Sequence, residues 1–330
     1  MDAHPGLLSA YLIDGKGGAA SVDWPAVQTW KSDDEPLWVH FDSELQETES
    51  WLRNNSGLDS FVVDGLLAPD ARPRCDRHED GFLLVLRGVN LHPGANPEDM
   101  VSIRIWFDKS RMISTRQRKL LAVDDIKQQF ADGHGAETTT HLVARLAAQL
   151  TYRMGPTVDE LSDNIAELED KLLEGDISDT ETLRTHRHDL IKYRRTSIAL
   201  RRYIAPQREA LNRLMLSAND WFTDKAKGRL IETVDRVTRL IEELDDIRER
   251  ASIIQDELSS RISFRMERTV YVLTLISAIV LPVGMFTGLL GINVGGVPGV
   301  ESDRAFWLVC IALGVLVAVE VWLFKRLKWL

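Results

Sequence analysis

The chain has 330 residues, 44% of them hydrophobic and 27% charged, with a formal net charge of −10 at neutral pH. That acidic balance suits a surface that gathers cations and disfavours nucleic acid as a partner, and two cysteines, Cys75 and Cys310, are too few for a disulfide framework. About 265 residues precede the long uncharged stretches, enough for a sizeable soluble core, and the N-terminus lacks the basic and apolar regions of a secretory signal, so this part is expected in the cytoplasm.

Residues 1–135 alternate in period two between turn signals and predict a cytoplasmic α/β domain. Strands are expected at Leu7 to Ile13, Leu37 to Phe41, Arg74 to His78, Gly81 to Asn90, Ser102 to Asp108 and Arg111 to Gln117, the last two as a hairpin around Asp108-Lys109-Ser110. Helices are expected at Ser43 to Asn54, Phe61 to Leu67 and Leu120 to Phe130, and Asp132-Gly133-His134-Gly135 marks a boundary. Residues 136–218 then read as antiparallel cytoplasmic helices. Leu161, Ile165, Leu168 and Leu172 recur at steps of four and three, Glu174-Gly175-Asp176 ends that helix, and Asp179 caps the next. The next helix is dense in positive charge, with Arg184, Arg187, Lys192, Arg194, Arg195, Arg201, Arg202 and Arg208, and Pro206 should kink it. Its charge reads as a solvated face paired with acids on the following helix rather than as a nucleic-acid or membrane surface.

The following helix begins near Asn219-Asp220 and meets no proline before Pro282, which predicts one rod of ~100 Å, with residues 219–268 as its cytoplasmic stalk. Leu230, Val234, Val237, Ile241, Leu244, Ile247, Ala251, Ile254 and Leu258 form a packing stripe along it. A second stripe runs through Glu242, Asp245, Glu249, Ser252, Asp256, Ser260, Ser263 and Glu267 and continues at the same spacing through Val270, Thr274, Ser277, Leu281, Gly284, Gly288 and Gly291. Periodicity alone fits the solvent face of a coiled coil as well as the wall of a cation pathway. Continuity of the stripe into Thr274 and Ser277 favours the pathway.

No charged residue lies between Arg268 and Glu301, and residues 269–292 are long enough to cross a ~30 Å hydrocarbon core as a helix. A loop, 293–304, separates this span from a second, 305–324, whose single charge is Glu320, and a basic tail, 325–330, follows. Arg265, Arg268, Lys325, Arg326 and Lys328 flank the pair on one side, while the loop carries Glu301, Asp303 and Arg304, which predicts cytoplasmic termini. Glu301 and Asp303 would concentrate cations at the outer mouth, although ordinary loop solubility explains them equally. Two helices cannot enclose a polar path, so several copies packed by their small residues about a closed axis are expected.

Gly291-Ile292-Asn293, with Pro282 eleven residues before the asparagine and a near-C-terminal helix pair, resembles the CorA superfamily of divalent-cation transporters. Isoleucine in place of the usual methionine, followed by Val294-Gly295-Gly296-Val297-Pro298-Gly299, is similar to the ZntB zinc-transporter branch. The resemblance implies an α+β membrane protein of the bacterial inner membrane, a funnel-shaped homopentamer with the first spans inside and the second outside. Gly291, Ile292 and Asn293 would then form the selectivity ring. Asn293 offers a carboxamide oxygen suited to a cation that keeps its water shell. Zinc is implied as transported substrate, with no resident cofactor, and proton-driven uptake as the mode; a magnesium or cobalt channel and zinc efflux are the alternatives. The chain departs from the family's magnesium channels at Leu281 and Gly284, where those often carry a bulky gate and a polar residue.

Zinc preference is not legible in the residues themselves, because all eight histidines precede the rod. Cys75 and His78 make half a tetrahedron, and His186 and His188 face apart on a helix. Gly15-Lys16-Gly17-Gly18 lacks the spacing of a phosphate loop, so transport must draw on an ion gradient or the membrane potential. Glu320 is the one carboxylate within a predicted span and hence a candidate for proton handling. No catalytic constellation is apparent; the reading from another class is a membrane-anchored coiled-coil scaffold.

Overall fold

Alternating apolar residues in the first third of the chain form the strands β1 (Leu7–Ile13), β2 (Ala19–Ser21), β3 (Leu37–Asp42), β4 (Arg74–His78), β5 (Gly81–Gly88), β6 (Val101–Phe107) and β7 (Arg111–Arg116). A computed structural model describes residues 4–69, 72–78, 80–173, 180–218, 220–292, 299, 302 and 304–327, which fall into two compact units, Met1–Gln255 and Asp256–Leu330. The strands make one sheet in the order β2-β1-β3-β7-β6-β5-β4, antiparallel except for the parallel pair β3 and β7. Asp108 closes the β6–β7 hairpin, its carboxylate accepting from the Ser110 and Arg111 amides at 2.7 and 2.8 Å.

Every residue of β5 and β6 is buried, because both sheet faces are covered. On one face Val39, Leu83, Trp106 and Ile113 pack with Leu52 of α2 (Gln46–Asn54) and with Val62, Val63 and Leu66 of α3 (Ser60–Leu67). On the other, Phe82 and Phe107 stack against each other and meet Trp221 and Phe222.

Several boundaries differ from the sequence reading for local reasons. Expected from Ser43, α2 starts at Gln46, since the Ser43 amide still donates to the Arg116 carbonyl at 2.9 Å as sheet. α3 starts at Ser60 because Asp59 caps it, accepting from the Phe61 amide at 2.8 Å. Strand β2 and helix α1 (Trp24–Thr29) were not foreseen; α1 carries a legible start signal, Asp23 as cap with Pro25 in its first turn. Helix α4 (Leu121–Ala131) is followed by the turn at 132–135 and by α5 (Thr139–Tyr152), whose cap is Thr138. That turn and position 218 both lie within the first compact unit, and the division between units falls inside a helix, after Gln255.

Helix α6 (Gly155–Leu173) buries Leu161, Ile165, Leu168 and Leu172, as its spacing predicts. The expected break at Glu174-Gly175-Asp176 and the cap Asp179 lie outside the described residues. α7 (Thr180–Leu216) continues through Pro206 and is tied to β5 by Gln207, whose side-chain oxygen accepts from the Arg87 amide at 2.8 Å. The long helix α8 (Asp224–Leu290) starts later than expected: Trp221 and Phe222 are held on the sheet, and Thr223 caps the helix by accepting from the Ala226 amide at 3.2 Å. All nine residues of its packing stripe are buried. At ~1.5–3 kcal/mol per fully buried aliphatic side chain, that stripe is the main reason the helix holds its place.

In the second unit, α8 from Asp256 to Leu290 and α9 (Ala305–Arg326) are both long and apolar enough to cross a membrane, and their apolar windows are not buried. α9 ends on Lys325 and Arg326, with the Arg326 guanidinium 5.4 Å from the Trp322 ring centre. Cations at a helix C-terminus favour its negative dipole end.

Candidate functional site

The two stripes of α8 lie about a third of a turn apart at 100° per residue. Within the first unit the packing stripe faces the folded domain, while Glu242 and Glu249 on the second stripe are exposed. Asp245 departs from this pattern. It turns toward α7, where the Arg201 guanidinium lies 2.7 Å from its carboxylate, and Arg248 lies 3.9 Å away. Thus the basic helix does find an acid on its neighbour, and one carboxylate of the expected pathway is already compensated within the chain. Among the described residues, Glu242, Glu249, Asp256 and Glu267 have no ion-pair partner.

In the second unit Asp256, Ser260, Ser263, Glu267, Thr274, Ser277, Leu281, Gly284, Gly288, Gly291 and Ile292 are all exposed. Thr274 donates its hydroxyl hydrogen to the Val270 carbonyl at 2.8 Å, and Thr287 donates to the Val283 and Gly284 carbonyls at 3.0 and 3.1 Å. With the proton committed to the backbone, each hydroxyl oxygen presents lone pairs outward, the polarity a cation needs. The helix also continues through Pro282, which has no N–H to give, so the Ala278 carbonyl lacks its helical donor. Asn293, Glu301 and Asp303 lie outside the described residues, so of the tripeptide expected to form the selectivity ring only Gly291 and Ile292 are described.

The other candidate ligands have structural explanations. Cys75 is buried on β4 opposite Leu84, and burial pushes its thiol up to about 12. His78, three residues on along an extended strand, points to the other face, its Nε2 3.4 Å from Asp59. His40 is fully buried. Trp38 Nε1 donates to Ser114 Oγ at 2.9 Å, Ser114 Oγ donates to the Val39 carbonyl at 3.2 Å, and His40 Nδ1 lies 2.8 Å from the same oxygen. The hydroxyl proton being spent, Nδ1 carries the hydrogen and Nε2 is left without a partner. Burial, aided by Arg116 and Lys127, holds this imidazole down to about 3. Glu320 is half-buried on α9, and its Oε2 has no hydrogen-bond partner. Among the described residues no three His, Cys, Asp or Glu side chains gather closely enough to hold a metal ion.

One acidic surface was missed in the sequence. Glu243 and Asp246 of α8 face Asp159 and Asp163 of α6, and burial first, then Asp159, Asp246 and Asp163, raises Glu243 above the usual carboxylate range. The signal was the spacing of four between Asp159 and Asp163, which puts both on one face of α6. Nearby, Arg250 of α8 reaches Glu169 of α6 at 2.6 Å.

Comparison with known proteins agrees with this architecture. A family profile described as CorA-like Mg2+ transporter protein matches residues 33–326. The divalent cation transporter CmaX of Pseudomonas aeruginosa is 40% identical over 327 residues, 98% of this chain and 97% of that protein. The zinc transport protein ZntB of Pectobacterium carotovorum is 34% identical over 327 residues, 99% of this chain and 97% of that protein. Full-length CmaX, as a solved structure, aligns with a TM-score of 0.84 over 100% of this chain and 99% of its own. The complete CorA magnesium transporter from Methanocaldococcus jannaschii, at 19% identity, shares the fold with a TM-score of 0.78 over 97% of this chain and 98% of its own. These relatives are transporters and not enzymes, in keeping with the absence of a catalytic constellation in the sequence. On the profile, the identities and the shared two-span architecture together, the chain belongs to the CorA-like Mg2+ transporter protein family.

Proposed function

We propose that the protein is a divalent-cation transporter that works as a homopentamer, with the first spans around an axis, the second spans outside them and the first units forming a funnel. The observation that carries this reading is the unbroken face of α8, acidic at Glu242 and Glu249, hydroxylated at Thr274 and Ser277, small at Gly284 and Gly288, and exposed throughout apart from Asp245 and Ser252. A face of that kind has no use on a helix surrounded by lipid, whereas copies of it about one axis line a polar path. Gly291, Ile292 and Asn293 form the selecting ring, and weak carboxamide and carbonyl oxygens there suit a hydrated ion. Glu301 and Asp303 add charge at the outer mouth, and both termini face the cytoplasm.

Zinc is the proposed cargo and uptake driven by protons the proposed mode, supported by the relative named as a zinc transport protein and by Ile292 in the ring. The membrane potential alone contributes ~2.3 kcal/mol per charge per 100 mV, twice that for a divalent ion. Reconstitution into liposomes loaded with metal-sensitive dyes, comparing zinc, magnesium and cobalt with and without a pH gradient, tests the proposal. Zinc influx that rises with an inward proton gradient and is lost on Asn293→Ala, with assembly intact, is the expected result. Flux of magnesium in preference to zinc would reassign the cargo, and no flux of any ion under any gradient would reject transport.

A further inference from the structure

Two glycine motifs that play no part in the ion path, Gly15-Lys16-Gly17-Gly18 and Asp132-Gly133-His134-Gly135, lie against each other in the folded domain. The Gly135 amide donates to the Gly17 carbonyl at 2.6 Å, and Gly17 has φ +102° with the Gly133 carbonyl oxygen 2.8 Å from where a Cβ would stand. Only glycine allows so close a backbone approach in that conformation. The joined loops form one wall of an open cavity of ≈ 650 Å³ whose other walls come from α5 and the first turns of α8.

The inner wall of this cavity is cationic and lacks its counter-ions. Arg145 and Arg229 both line it, and among the described residues neither has a carboxylate within ion-pair distance. Arg145 donates only to uncharged oxygens, to Gln129 at 2.9 Å and to the Gly135 carbonyl at 3.3 Å. His141, only 6% exposed, lines the cavity with them. The Glu137 amide donates to its Nδ1 at 3.4 Å, so the hydrogen is on Nε2, for which the described residues offer no acceptor. Burial first, then Arg145 and Arg229, hold this imidazole down to about 4. Of the acids present, Glu137 is taken up by Lys225 at 2.6 Å, and Asp224 and Glu232 stand exposed at the rim. Lys16 and His134 add donors from the two glycine loops.

Guanidiniums without a carboxylate partner, beside a buried N–H donor, match a multiply charged anion with several oxygens, and the volume suits a ligand of nucleotide size. We propose that this cavity binds a phosphate-bearing small molecule, with Arg145 and Arg229 on the phosphate oxygens and His141 Nε2 donating a further hydrogen bond. The site lies wholly within the first unit and does not depend on the transport reading.

Calorimetric titration of the full-length protein in nanodiscs, with divalent cations removed, tests it with two probes, inorganic pyrophosphate and ADP. Saturable binding is expected for both, weakened about tenfold or more by Arg229→Gln. Equal affinities would assign recognition to the phosphates, and tighter ADP binding would place the nucleoside in the cavity as well. Should Arg229→Gln fail to fold, Lys16→Gln in the exposed turn carries the test and should weaken binding several-fold. Absence of saturable binding to either probe, or undiminished binding to Arg229→Gln, would overturn the proposal.

Discussion

Residues 224–255 and 256–290 belong to one continuous helix, yet they meet their surroundings in opposite ways. In the first stretch every apolar residue of the packing stripe is buried, and ion pairs from Arg201 and Glu169 fix the flanks. In the second, beyond the buried Leu258 at its start, most of the apolar residues are exposed, Leu281 at 74% and Leu273 at 64% among them. The hydrophobic effect that settles the first stretch is satisfied within the chain, whereas in the second it is left to lipid and, in the proposed pentamer, to other copies. The stability of the fold therefore resides in the first part of the helix, and the proposed assembly would draw on the second.

The sharpest test exchanges one leucine in each stretch. Leu244→Ala should cost about 2–5 kcal/mol by leaving a cavity, seen as a lower unfolding temperature of the detergent-solubilised protein. Leu281→Ala should change the same transition by less than about 0.5 kcal/mol. Equal losses would break the comparison.

A second test uses acid, to which only the folded domain should respond. His40 has a folded pKa well below its unfolded value, so the unfolded chain binds the extra proton, and stability falls as pH drops from about 6.5 toward about 3. The loss is at most ~1.4 kcal/mol per pH unit. His40→Asn, which keeps a group near Nδ1 and cannot titrate, should flatten the dependence of unfolding temperature on pH in that window; an unchanged slope would put the acid sensitivity elsewhere.

Among the losses expected in the first stretch, the smallest is at the ion pair. Asp245→Asn should cost no more than ~1 kcal/mol, because both partners are more than a third exposed and water screens them. If the same substitution instead alters cation flux while stability holds, Asp245 belongs to the pathway despite its bond to Arg201.

Elements whose physics is local are legible in the sequence. β1 and β4 match to the residue, and the packing stripe on α8 matches throughout, because alternation and three-to-four spacing register burial directly. The misses share a different cause. Asn219-Asp220 reads as a helix start, but Trp221 and Phe222 find Phe82 and Phe107, some 115 to 140 residues earlier in the chain, and the helix begins only after that contact is made. Likewise the turn at 132–135 reads as punctuation, and only the folded chain brings it to Gly17. The polar face of α8 was legible as a pattern, but the turn of Asp245 toward Arg201 was not, since it depends on how two helices pack.

Cys75 is buried on β4, where burial raises its thiol pKa and keeps it protonated at neutral pH, while Cys310 is exposed on α9. Thiol-directed reagents that partition into a bilayer therefore have one address per chain. The natural sequence is in effect already a single-cysteine protein for spectroscopy, and a spin label or fluorophore at position 310 can report spacing between copies in the proposed pentamer without any prior mutation.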